Sequence, residues 1–119
     1  MPSMPARPKR SSAMSYRFMR LVIFFDLPVE TSAQRREYAA FRKFLLRSGF
    51  VMMQESVYSK IVLNPTAAAA AQESVRKHKT SSGLIQMLLV TERQFERMEV
   101  VVGEAQREVI DSDERLVIL

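Results

Sequence analysis

Residues 18–26 read Phe-Met-Arg-Leu-Val-Ile-Phe-Phe-Asp, and Pro28 follows two residues later. β-Branched and aromatic residues dominate the run, and a Pro close behind is a stop signal, so the stretch predicts a strand. Leu21, Ile23 and Phe25 fall on one face, Val22 and Phe24 on the other. Both faces are apolar, the pattern of a central strand covered on both sides rather than a half-solvated one.

The pattern then changes period. Thr31-Ser32-Ala33-Gln34 fits a capping box, and a helix is expected to run to about Ser48, with Gly49 taking the left-handed turn that ends it. Tyr38, Phe41, Leu45 and Ser48 share one stripe, which should face a sheet. Arg36, Lys43 and Arg47 fall nearly opposite, with Arg35 and Arg42 flanking the stripe. Residues 50–54 and 57–63 predict two short strands. Only Glu55 and Ser56 separate them, so a tight bend and a single bulged strand both remain open. Asn64-Pro65 is an N-cap followed by Pro at the first helical position, and 67–71 is an alanine run of high helix propensity. That helix should fade through 77–82, with Gly83 as the turn. Residues 84–90 predict another apolar strand. Thr91-Glu92-Arg93-Gln94 repeats the capping box ahead of a short helix to about Met98, and 99–102 and 115–119 predict late, brief strands.

The expected fold class is α+β: a ferredoxin-like βαββαβ sandwich with an additional C-terminal helix and strands. Such a sheet normally carries helices on one face only. Here the strands 18–26 and 84–90 are apolar on nearly every position, so the bare face is too greasy to be left open. A homodimer packed sheet against sheet is the simplest resolution.

Composition narrows the chemistry. At 119 residues the chain has room for one domain. It has no Cys, which excludes disulfides, zinc-thiolate sites and thiol nucleophiles. His78 is the one histidine and sits in Arg76-Lys77-His78-Lys79, where a solvated surface role is expected. No apolar run is long enough to span a membrane and the start lacks a secretory core, so the expected location is cytoplasmic. Arg7, Lys9 and Arg10 carry three of the formal +5 charges. Residues 1–14, rich in Pro and Ser, are expected to form a disordered basic extension ahead of one domain, 15–119. The body is only mildly basic, and the first helix, with five cations against Glu37 alone, is its strongest basic feature.

Asp26, at the mouth of the first strand, is either a turn residue or a ligand presented by a rigid scaffold. In a sheet-to-sheet dimer with that strand near the two-fold axis, two copies of Asp26 would approach each other, and facing carboxylates favour a bound cation. Mg²⁺ suits such a site, since it takes one or two carboxylates and keeps several waters. No second acid stands at motif spacing; Asp111 and Asp113 sit in a late turn. An RNA-recognition module of similar fold would carry aromatics on its open face, whereas 84–90 has none.

Tyr16-Arg17-Phe18-Met19-Arg20, Phe24-Phe25-Asp26-Leu27-Pro28, Arg42-Lys43-Phe44-Leu45, Gln54-Glu55-Ser56-Val57-Tyr58-Ser59-Lys60 and Arg115-Leu116-Val117, in this order, resemble a known family. It is the small CRISPR-associated spacer-acquisition protein, the non-integrase subunit often labelled an endoribonuclease, in the forms found in type II systems. The resemblance implies a ferredoxin-like homodimer that bridges integrase dimers and supports duplex DNA awaiting insertion. It aligns Asp26 with the family aspartate that ligates Mg²⁺ at the dimer interface in members with nuclease activity. It aligns Arg35 and Arg36 with basic residues that contact nucleic acid. Many members have Tyr just before the aspartate; Phe25 here lacks that hydroxyl. The reading is a structural DNA-binding subunit of the adaptation complex, with nuclease activity weak or absent. Arg35, Arg36, Arg76, Lys77 and Lys79 are its expected phosphate contacts. The alternative is a Mg²⁺-dependent endonuclease acting on RNA or DNA with Asp26 as its catalytic and metal-binding residue, and a third reading is a toxin-like ribonuclease.

Overall fold

The computed structural model describes residues 18–104. Its elements run β1 (Met19–Asp26), α1 (Ser32–Arg47), β2 (Val51–Gln54), β3 (Val57–Val62), α2 (Pro65–Lys77), β4 (Leu84–Thr91) and α3 (Glu92–Glu96). The strands form one antiparallel sheet in the order β2-β3-β1-β4, with β1 paired on both edges. That is the ferredoxin-like arrangement, with α1 and α2 as its two crossovers. The extension over 1–14 and the strand expected at 115–119 lie outside the described residues. No helix of the described residues is long and apolar enough to cross a membrane.

Local chemistry explains the element ends. At the start of α1, Thr31 Oγ1 accepts from the Gln34 amide at 3.1 Å, and Gln34 Oε1 accepts from the Thr31 amide at 3.0 Å. This satisfies helix N–H groups that have no partner inside the helix. Gly49, at φ +93°, turns the chain out of α1. The carbonyl of Ser48, beyond the last turn, accepts from Lys60 Nζ at 2.7 Å, so a cation from β3 caps the negative end of the helix. Asn64 caps α2 through the Ala67 amide at 2.7 Å, and Thr91 with Gln94 repeats the capping box on α3.

Alternation along β1 divides the sheet. Leu21, Ile23 and Phe25 enter one core with Phe41 and Leu45 of α1, Tyr58 of β3 and Val75 of α2. The Phe25 ring meets Phe41 edge-on at 5.2 Å and lies against Tyr58 at 5.6 Å. Burial of side chains of this size stabilises by roughly 1.5–3 kcal/mol each. The other face carries Arg20, Val22, Phe24 and Asp26, flanked through the ladder by Val57, Ser59 and Ile61 and by Leu84, Gln86, Leu88 and Val90. Val22 and Ser59 are buried there, yet Phe24, Ile61, Leu84 and Leu88 remain 38%, 48%, 53% and 51% exposed.

Three features depart from the sequence reading or resolve it. Of the two options for residues 50–63 the tight bend occurs, not a single bulged strand: Glu55-Ser56 is a two-residue turn, with Ser56 at φ +68°, and the β2–β3 register shifts between Met52 and Gln54. The helices are not confined to one face. α3 is held over the opposite face by Arg20, whose Nε and Nη2 donate to Glu92 Oε1 and Oε2 at 3.0 and 2.7 Å. The same guanidinium lies 4.2 Å from the centre of the Phe95 ring. Residues 99–102 are not a strand: they pair with no sheet edge among the described residues, and Val101 and Val102 are 81% and 89% exposed.

Lys60→Met keeps the aliphatic stem and removes the cap on α1. We expect destabilisation by about 1–2 kcal/mol, the range for a charged hydrogen bond at a partly buried helix C-terminus. Urea midpoints read it, and an unchanged midpoint would show that water replaces the cap at no cost.

Candidate functional site

Asp26 closes β1 on the open face, exposed and directly across the ladder from Leu84. Its backbone is gripped from both sides. The Phe25 amide donates to the Ser56 carbonyl at 3.0 Å, which ties the β2–β3 turn to the end of β1. From the β4 side, Gly83 sits at φ +94°, where a Cβ would lie 2.8 Å from the Asp26 carbonyl oxygen and 3.1 Å from Leu27 Cα. Only glycine allows so close an approach at that backbone angle. The carboxylate is thus exposed at its tip and held at its root. Among the described residues no three of His, Cys, Asp or Glu come together as a metal cluster.

The position before Asp26 has a different meaning in three dimensions. Phe25 is 6% exposed and points into the aromatic core, on the face opposite Asp26. A hydroxyl in its place would enter the core with the ring. The hydroxyl that Phe25 lacks would therefore stand on the helix side of the sheet, away from the Asp26 side chain.

The predicted cations divide. Arg35 Nη1 donates to the Val29 and Glu30 carbonyls, both at 3.0 Å, and serves the loop ahead of α1. Arg76 pairs with Glu73 at 2.9 Å on the exposed side of α2. Arg36, Lys77 and Lys79 are exposed. The loop that carries Lys79 is docked on α1. His78 is exposed at its rim, but its ring stacks on Phe44 at 3.9 Å with 10° between the planes, and its Nδ1 donates to the Ser74 carbonyl at 2.9 Å. Ser81 donates to Glu37 twice, from its amide at 3.2 Å and its hydroxyl at 3.0 Å.

Helical geometry then sorts α1. At ~100° per residue, Glu37 and Phe44 share the face toward that loop, and Arg36, Lys43 and Arg47 form the next stripe outward. Arg35 and Arg42 lie on the far flank. By helical phase Arg36 is therefore turned nearer to Lys77, at the end of α2, and to Lys79 in the loop than Arg35, its sequence neighbour, is. Lys43 and Arg47 were not among the expected phosphate contacts. Their spacing of seven and eleven residues from Arg36 was the available signal.

A family model described as CRISPR associated protein Cas2 matches residues 19–98. The chain is 50% identical over 101 residues to the CRISPR-associated endoribonuclease Cas2 of Treponema denticola, covering 85% of this chain and 100% of that protein. It is 45% identical over 101 residues to the protein of the same name from Streptococcus mutans serotype c, covering 85% and 93%. The crystal structure of Streptococcus pyogenes Cas2 superposes with a TM-score of 0.54 at 18% identity, over 70% of this chain and 99% of that one, a likeness of fold.

Gly83→Ala puts a methyl against the Leu27 side chain and against the Asp26 carbonyl and Leu27 Cα, which as backbone cannot swing aside. We expect destabilisation of at least about 1–2 kcal/mol from the left-handed backbone alone. Amide exchange should also quicken around Asp26 and Leu27 more than in α2. Wild-type stability would show that Gly83 does not hold the end of β1.

Proposed function

The chain belongs to the CRISPR-associated Cas2 family, and on that premise we propose that it acts in CRISPR adaptation as a cytoplasmic, homodimeric subunit that holds duplex DNA and bridges integrase dimers. The observation that carries this reading is the open sheet face. Phe24, Ile61, Leu84 and Leu88 form an apolar surface along the open face, which Asp26 borders at its Leu84 end, and water is a poor cover for it. A second copy of the same face is self-complementary, as a two-fold interface requires. The cations of α1 and of the α2–β4 loop stand in the helical layer behind the sheet, so they stay available for phosphates once the sheet face is covered.

The second reading, a Mg²⁺-dependent endonuclease on RNA or DNA, draws on Asp26 itself and on the name its relatives carry. The donor set fits the ion only when two chains meet: one carboxylate from each, with waters, matches the habit of Mg²⁺. Asp26 of each protomer would then hold it. A metal so held supplies charge stabilisation at a phosphate and an activated water. The chain's own part is to fix the two carboxylate roots through Gly83 and Ser56.

The homodimer should sediment at about twice the mass of the chain at micromolar concentration. Leu88→Asp, which puts a charge amid the apolar face, should give a folded monomer. A wild-type chain that stays monomeric would remove the basis of this proposal.

Asp26→Asn separates the two functions. Spacer integration with the partner integrase should survive it, and any cleavage should depend on Mg²⁺ and disappear. In metal-free buffer the substitution should tighten the dimer, because two facing carboxylates no longer repel. Strong Mg²⁺-dependent cleavage by the wild type, with integration abolished in Asp26→Asn, would make the chain an enzyme first.

A further inference from the structure

Glu37 is the one acid in α1, among five cations. On a surface built for phosphates such a carboxylate is a liability. It repels the ligand and neutralises part of the field of Arg36 and Lys43. Its geometry supplies a reason for its presence. Both oxygens face the α2–β4 loop, one accepting from the Ser81 amide and the other from the Ser81 hydroxyl. Ser81 lies two residues after Lys79 and two before Gly83, so the same loop carries a cation at one end and grips the Asp26 backbone at the other. Seven residues along α1, Phe44 holds the start of that loop by stacking on His78. The loop is therefore fastened to α1 at two points on one helical face.

We propose that Glu37 is a positioning residue for nucleic-acid binding: it locks the Lys77–Lys79 segment beside the Arg36, Lys43 and Arg47 stripe, so that cations from two parts of the chain meet one phosphate backbone as a fixed surface. This rests on the duplex-binding reading above. A long, exposed lysine on a loose loop gives up much of its binding energy to ordering, whereas on a fastened loop that cost has been met during folding.

A lock and simple electrostatics predict opposite signs. Removal of one negative charge from a basic surface should tighten phosphate binding whatever the residue put in its place. If Glu37 is a lock, the outcome depends on whether the hydrogen bonds survive. Glu37→Gln keeps a carbonyl for the Ser81 amide and an amide group for the hydroxyl while removing the charge. Glu37→Ala removes both.

The test is a salt titration of binding to a short mixed-sequence DNA duplex, with the full chain as wild type, Glu37→Gln, Glu37→Ala and Ser81→Ala. Glu37→Gln should bind at least as tightly as wild type with the same slope of log K against log salt. Glu37→Ala should bind more weakly despite its extra positive charge, and its slope should fall by about 0.9 for each phosphate it no longer neutralises. Ser81→Ala, which changes no charge and leaves the fold's core untouched, should move in the same direction by a smaller amount. Equal tightening in Glu37→Gln and Glu37→Ala, with wild-type slopes throughout, would overturn the lock while leaving duplex binding intact. Salt-independent or absent binding by the wild type would overturn the duplex-binding reading itself, and the lock with it.

Discussion

β1 has a neighbour along each edge and the crossover helices over only one of its faces, so each side chain from Arg20 to Asp26 at an even position must find its surroundings on the far side of the sheet. Its odd positions settle the core. The even ones leave a surface that the chain covers in part, with α3 fastened over Arg20 at one end and nothing comparable among the described residues over Phe24 and Leu84 at the other. Asp26 stands at that uncovered end. A carboxylate on the rim of an apolar face is what a two-fold interface would need to bring two like groups together around a cation.

The two layers give the molecule two working sides. The sheet side is apolar and carries Asp26, and in the proposed dimer it meets a second copy. The helix side is basic along the outer stripe of α1 and does not compete with it. Gly83 and Ser81 lie in the loop that joins the sides, touching Asp26 through backbone and α1 through Glu37. Rigidity in that loop therefore matters to both surfaces, although no residue in it is chemically reactive in either reading.

Much of this was legible in the sequence because the deciding interactions were short-range. The capping boxes at Thr31 and Thr91, the Asn64-Pro65 start, the Gly49 turn and the two-faced β1 all depend on residues within a few positions of one another. What was not legible depended on distance or on alternation. Arg20 and Glu92 are 72 residues apart, so nothing local announced that α3 would cross to the open face. Ser56 takes a left-handed turn without the glycine or asparagine that marks such positions. Phe25 adjoins Asp26 in sequence yet faces the other way, since neighbouring strand residues alternate. Arg35 and Arg36 part for the helical counterpart of the same reason. Residues 99–102 had the composition of a strand, but a strand also needs an edge to pair with.

The central claim is that Asp26 sits where two copies meet, and the absence of cysteine allows a direct test. A single Asp26→Cys or Ala40→Cys, each carrying a nitroxide label, reports the distance between equivalent sites in the dimer, one on the sheet face and one on the outer face of α1. In the sheet-to-sheet dimer, labels at position 26 should give a short, narrow distance and labels at position 40 a much longer one. The reverse order, with the helical layers in contact and the labels at 26 far apart, would contradict it.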